Sequence, residues 1–281
     1  SIPNSVTSIG RHAFMDCVGL TSITIPSSVA NIDHNNLFYG CENLEHVVVE
    51  EDNPVYDSRD NCNAIIETAS NTVIAGCKTT TIPNSVISIG NSAFWNCDRL
   101  TSIDIPNSVK SIESYAFYGC SDLNTISIGN SVRSIASNAF DRTEWYRNQP
   151  DGVMYVGKYA YGYKGGMFSN TIVLEEGTLG IADDAFNGHY GLVSVTIPSS
   201  VNWIGISAFA NSQNLTDVYC HALEVPRTYY YYEGKEYIID ETSWGEEDFL
   251  FYGTTPISSA TLHVPAVSLE TYKATSPWNL F

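Results

Sequence analysis

Ile2-Pro3-Asn4-Ser5-Val6-Thr7-Ser8-Ile9-Gly10, running on to Ala13-Phe14 and Cys17, decides the reading of this chain because it returns. The same text reappears from Ile82 to Ala93-Phe94 and Cys97, and from Ile105 to Ala116-Phe117 and Cys120. Ile82 and Ile105 stand 23 residues apart, as do Ile105 and Ile128, and Leu174 and Ile197. Self-similarity at a fixed period of roughly 20 to 30 residues marks stacked coils, each burying its apolar face against its neighbours.

Seven small-Phe or Leu-Phe pairs mark the coils: Ala13-Phe14, Leu37-Phe38, Ala93-Phe94, Ala116-Phe117, Ala139-Phe140, Ala185-Phe186 and Ala208-Phe209. Ahead of them runs Leu-x-x-Ile-x-Ile-Pro, cleanest in Leu20-Thr21-Ser22-Ile23-Thr24-Ile25-Pro26 and repeated in Leu100 to Pro106. Ile-x-Ile is a short half-buried strand with Ile23 and Ile25 facing in and Thr24 facing out. Pro removes a ladder donor and ends the strand, and Asn-Ser or Ser-Ser supplies the turn. One coil cannot bury so many apolar groups, but stacked coils pile them into ladders about 4.8 Å apart, with parallel strands along one side.

The full pattern, Leu-x-x-Ile-x-Ile-Pro-x-Ser-Val-x-x-Ile-Gly-x-x-Ala-Phe-x-x-Cys, resembles the repeat of the BspA-like, or Treponema-type, leucine-rich-repeat family over roughly residues 1 to 220. The resemblance implies a leucine-rich-repeat solenoid, mainly β with short helical turns. It also implies a secreted or cell-surface protein of a host-associated microbe, engaged in adhesion. It carries over no catalytic residue.

We expect a single domain over residues 1–281, with about eight coils. Repeats fill 1–49, 82–143 and 171–224. Segment 50–81 reads as a hairpin insertion, with apolar runs Ala64-Ile65-Ile66 and Thr72-Val73-Ile74-Ala75 around a polar turn. Segment 144–170 is an aromatic insertion that takes the place of one coil, since Ile128 and Leu174 are separated by two periods. Segment 225–253 is Tyr-rich, and 254–281 carries the last strand text, Ala260 to Pro265, and a cap with a short helix at Ser268 to Ala274. Ser1 falls inside a repeat, so the chain reads as a piece of a longer or processed protein.

The net charge of −18, from 13 basic and 31 acidic residues, argues against nucleic acid and anionic membrane, which call for a basic surface. No run reaches the 18 or so apolar residues of a membrane span, so no membrane insertion is expected from this segment. Cys17, Cys41, Cys97 and Cys120 follow their Phe by three residues, where other coils hold Thr143, His189 and Ser212. A position open to all four residue types is a ladder of buried, reduced thiols donating to turn carbonyls, not a disulfide framework. Cys62 and Cys77 flank the first hairpin at a spacing open to pairing or to free thiols.

No phosphate loop, nucleophile elbow or zinc motif is present, and the six histidines lack metal-ligand spacing. No enzyme activity, cofactor or metal is expected, and the chain reads as a monomer. What stands out is the outward strand face. One column runs through Thr24, Val48, Asp104, Ser127, Val173, Thr196, Tyr219 and His263, beside a second containing Ser22, His46, Ser102, Thr125, Ser194 and Asp217. Solenoid sheets serve as extended binding surfaces. Asp104, Ser127, Thr196, Asp217, Tyr219 and His263 are therefore candidate partner-binding residues. The aromatic run Tyr229-Tyr230-Tyr231-Tyr232 with Trp244 competes with them, since an extended chain points alternate rings in opposite directions. The leading function is a non-catalytic interaction protein for a protein or glycan partner, and the alternative is a structural spacer presenting another module.

Overall fold

Each Ile-x-Ile run forms a strand of three or four residues whose side chains alternate between interior and solvent, as Ser22–Ile25 and Ser102–Ile105 do. The structure, a computed structural model, describes residues 1–166, 169–232, 235–238, 250, 251, 253 and 255–281. The protein is a mainly-β solenoid of about nine turns, where the sequence suggests about eight. It divides into two units: Ser1–Val132, Asn138–Asn148 and Glu233–Lys235, and then Arg133–Ser137, Gln149–Tyr232 and Glu236–Phe281.

In the first unit, Ser22–Ile25 lies parallel to His46–Val49, with Thr24 opposite Val48. Ser102–Ile105 lies parallel to Thr125–Ile128, with Asp104 opposite Ser127. Two-residue strands make a second row, Ser8–Ile9 with Asn31–Ile32 and Ser88–Ile89 with Ser111–Ile112. The expected hairpin is formed by Ala64–Glu67 and Thr72–Gly76. Its return strand then runs parallel to Ser88–Ile89 and so takes the place of a coil strand. Every residue of Thr72–Gly76 is buried, so this insertion is core and not a surface excursion.

The second unit uses the same device. Gly152–Val156 and Tyr159–Lys164 form an antiparallel hairpin, and the latter lies parallel to Gly180–Ile181, which pairs with Trp203–Ile204. The aromatic insertion thus stays in the stack, as its two-period length suggests. Its principal sheet is four parallel strands in the order Thr171–Val173, Ser194–Ile197, Asp217–Cys220 and Thr261–His263.

The ladder of rings supplies the core. Phe117 is wholly buried between Phe94 and Phe140, with centroids at 4.9 and 5.3 Å. In the second unit Phe186 stacks on Phe209 at 5.4 Å, and Phe209 on Phe251 at 5.7 Å. Each buried ring of this size is worth roughly 2 to 3 kcal/mol. Phe14 departs from the expectation of burial. It is half-buried and tilted against Phe38 at 5.9 Å, because in the first described coil it has a ring neighbour on one side.

Phe251 is an unexpected rung. The Phe209 amide donates to the Leu250 carbonyl at 2.8 Å, as the Phe94 amide does to Ala116 and the Phe117 amide to Ala139. Leu250-Phe251 is therefore a further pair of the repeat, set within the Tyr-rich segment. Backbones at the corner of most coils turn through left-handed residues two before and two after the Phe, such as Ser92 and Asn96, Tyr115 and Gly119, and Asp184 and Gly188.

The residue three positions after the Phe closes the corner. Cys41 Sγ donates to the Phe14 carbonyl at 2.9 Å, and Cys120 Sγ to the Phe94 carbonyl at 3.0 Å. Thr255 Oγ1 makes the same bond to the Phe209 carbonyl at 2.9 Å. The ladder reading holds for Cys41 and Cys120, which are buried, but Cys97 is half-buried and Cys17 is exposed. No described coil precedes Cys17 to offer it that carbonyl. Cys62 and Cys77 are both free and buried; Cys62 Sγ reaches the Ala64 carbonyl at 3.7 Å and Cys77 Sγ the Asn63 carbonyl at 3.4 Å.

The cap is as expected. Leu269–Lys273 is a short helix whose Tyr272 hydroxyl donates to the Ala222 carbonyl at 2.9 Å. Trp278 is buried, and its Nε1 donates to the Pro226 carbonyl at 3.3 Å. These contacts cover the apolar end of the second unit, which stacked repeats otherwise leave open.

Candidate functional site

Parallel pairing in register brings equivalent residues of successive strands side by side, and period-two alternation turns every second one to solvent. In the second unit this puts Val173, Thr196, Tyr219 and His263 in one outward column and Thr171, Ser194, Asp217 and Thr261 in the next. Tyr219 and Val173 are exposed, and Thr196, Asp217 and His263 half-buried.

Three of the candidate residues meet. The rings of Tyr219 and His263 stack with centroids 4.2 Å apart and planes within 8°. His263 Nε2 lies 2.9 Å from Asp217 Oδ1, and Thr216 Oγ1 donates to Asp217 Oδ2 at 2.8 Å. The bond from His263, and then that from Thr216, hold the Asp217 carboxyl below the usual carboxylate range. Asp217 is therefore a carboxylate at neutral pH, already oriented and still open to solvent. Beside His263 an open recess is lined by His221, Leu262, Val264, Pro265 and Leu269. Anchored aromatic, imidazole and carboxylate groups next to an apolar recess suit a polypeptide surface. Aromatic anchors provide contact area at small entropic cost, and a carboxylate can pair with a cation or accept from a donor.

Asp104 and Ser127 lie elsewhere, exposed and facing one another on the two-stranded sheet of the first unit. Tyr229 is half-buried, with the Arg133 guanidinium 5.4 Å from its ring centroid. The backbones of Tyr229–Tyr232 and Lys235–Ile238 form a two-stranded sheet. The side chains of Tyr230, Tyr231 and Tyr232, and all of Trp244, lie outside the described residues. Among the described residues no group of three or more His, Cys, Asp or Glu is arranged to hold a metal ion. No described helix is long and apolar enough to cross a membrane.

The strand-face reading missed one cluster. Trp95, Tyr115 and Tyr118, all half-buried, meet on the corner of two successive coils, with Trp95 to Tyr115 at 4.7 Å and Trp95 to Tyr118 at 5.1 Å. A signal was available: Tyr39, Trp95 and Tyr118 each directly follow the ladder residue Phe38, Phe94 or Phe117.

The family profile described as BspA type leucine-rich repeat region, six copies, matches residues 1–62, 60–166 and 148–270. Among solved structures the chain is similar to a leucine-rich cell surface protein from Faecalibacterium prausnitzii A2-165. Identity is 29%, with 78% of this chain and 52% of that one covered, at a TM-score of 0.43. It is also similar to the pneumococcal vaccine antigen PcpA, with 16% identity, 96% and 57% covered and a TM-score of 0.44. A leucine-rich-repeat protein from T. pallidum matches at 24% identity, with 58% and 66% covered and a TM-score of 0.30. The chain spans just over half the length of the first two. A search of curated proteins finds no match.

Proposed function

The chain belongs to the BspA-type leucine-rich-repeat family, and from that premise we propose that it is an interaction module that binds a protein partner through the outward face of its parallel strands. The matched region is a repeat region, and leucine-rich-repeat solenoids are interaction folds that work through extended surfaces, not through catalytic pockets. The observation that carries the reading is the meeting of Asp217, Tyr219 and His263 in two outward columns, where strand propensity accounts for a Tyr but not for the Asp bonded to a His beside it. The net charge of −18 favours a partner with a basic patch and an association that weakens with salt. A site at the surface of a cell or outside it, in contact with a host, is the setting we propose.

The experiment is a biolayer-interferometry screen against immobilised extracellular matrix proteins at low and high salt. Binding to one or more of them that weakens with salt supports the reading. Binding to none, with a catalytic domain found on the same polypeptide, replaces it with the spacer role.

A further inference from the structure

The aromatic corner of the first unit differs from those of the other coils. Tyr115 sits at φ 60°, a left-handed conformation that other coils give to His12, Asn36, Ser92, Asp184 or Ser207. A bulky residue is disfavoured in that backbone, and short polar residues tolerate it better. Tyr115 therefore holds a strained position, and what the strain secures is its ring against Trp95 at 4.7 Å and, edge-on, against Tyr118 at 5.4 Å. The Arg142 guanidinium lies 5.1 Å from the Tyr118 centroid and occupies that ring.

Trp95 also borders a recess toward the preceding coil, together with Asn36, Tyr39, Glu42, Asp98 and Arg99. The recess lies between Phe38 and Phe94, rungs separated in sequence by the first hairpin, and Gly76 of that hairpin lies against the Phe94 ring. At its rim Arg99 and Glu42 form an exposed ion pair at 3.4 Å. Asn36 Oδ1 is buried in this lining with no hydrogen-bond partner. An orphaned acceptor of this kind is destabilising, and a hydroxyl donor would relieve it.

We propose that Trp95, Tyr115 and the rim of this recess bind a neutral, hexose-containing glycan. Aromatic rings offer an apolar face to the C–H side of a pyranose. The carboxylates of Glu42 and Asp98 and the Asn36 carbonyl accept from its hydroxyls, and Arg99 donates. Uncharged sugars fit because a surface of net charge −18 repels sulfated, phosphorylated or sialylated ones. The site is separate from the strand face and does not rest on the protein-binding reading.

The test is an array of uncharged glucose-, galactose- and mannose-terminated oligosaccharides, followed by calorimetry on the best responder. The wild type is compared with Trp95→Ala, Tyr115→Asn and His263→Ala. Asn suits the left-handed backbone at position 115, so that variant keeps the fold while removing the ring. The expected result is binding weakened about tenfold or more in Trp95→Ala and Tyr115→Asn and unchanged in His263→Ala. A silent array, undiminished binding by Tyr115→Asn and Trp95→Ala, or a preference for anionic sugars or for oligolysine would overturn the proposal. Failure of the strand-face reading would show separately, as a His263→Ala variant with unaltered protein binding.

Discussion

Phe117→Ala is the sharpest perturbation of the stack. The ring has no exposed surface and lies between Phe94 and Phe140, parallel to the latter within 5°. Losing its transfer free energy costs roughly 2 to 3 kcal/mol. If half of the roughly 100 Å³ vacated stays empty, the cavity adds about 1 kcal/mol. Two lost ring pairs add roughly 0.5 to 1.5 kcal/mol each at most, and neighbouring coils recover part by relaxing, so the net loss is about 3 to 5 kcal/mol. Urea unfolding followed by circular dichroism measures this, with Phe14→Ala alongside as an internal reference. Phe14 is half-buried with one tilted neighbour, so its removal costs about half as much or less. A Phe117→Ala loss below about 1 kcal/mol, or equal losses for the two variants, would refute the ladder as the main source of stability.

Native thiol titration should find Cys17 reacting quickly and Cys41, Cys62, Cys77, Cys120 and Cys220 silent until denaturant is added. Burial pushes the Cys41 and Cys62 thiols up to about 11 and raises those of Cys97 and Cys120, so even brief exposure presents thiols and not thiolates; fast labelling of the buried five would contradict the packing. Asp183 is raised to about 7, chiefly by burial, against 3.8 when free, while its carboxylate accepts from the Ile206 amide at 2.9 Å. The folded state therefore holds the extra proton between about pH 4 and 7, and this contribution to stability is lost as pH rises through 7. Asp183→Asn keeps the acceptor and should stabilise the protein by roughly 1 to 3 kcal/mol at pH 8 and by little at pH 4; melting scans at both values that show no such difference would exclude the buried carboxyl as the cause.

Much of the fold was legible because the pattern is redundant. Ile23, Ile25, Ile103 and Ile105 announce strands by alternation, and the step of 23 residues sets their register. The first hairpin showed itself through two apolar runs around a polar turn, whereas the second was legible only as an aromatic insertion one coil long. What the linear pattern could not show was that their return strands, Thr72–Gly76 and Tyr159–Lys164, replace coil strands, because that depends on pairing partners far away in sequence. Leu250-Phe251 was hidden by the long stretch before it, which breaks the count of 23 and lacks Ile-x-Ile-Pro. Cys17 was misjudged because its repeat position is identical to that of Cys41, whereas burial depends on the neighbouring coil. The outward columns were legible residue by residue. The bond from His263 to Asp217 was not, since it runs diagonally between strands 46 residues apart. Trp95, Tyr115 and Tyr118 escaped notice because their meeting depends on a left-handed Tyr that no propensity favours.

The central claim is that this solenoid recognises a protein through the strand face around Asp217, Tyr219 and His263. Its most direct measurement is the affinity of the double variant Tyr219→Ala/His263→Ala, relative to wild type, for whichever matrix protein the screen returns. Circular dichroism should first show an unchanged melting temperature. The account predicts a loss of about tenfold or more, because both rings are partly exposed on the outward face of the strands. Undiminished affinity in a folded double variant would contradict it.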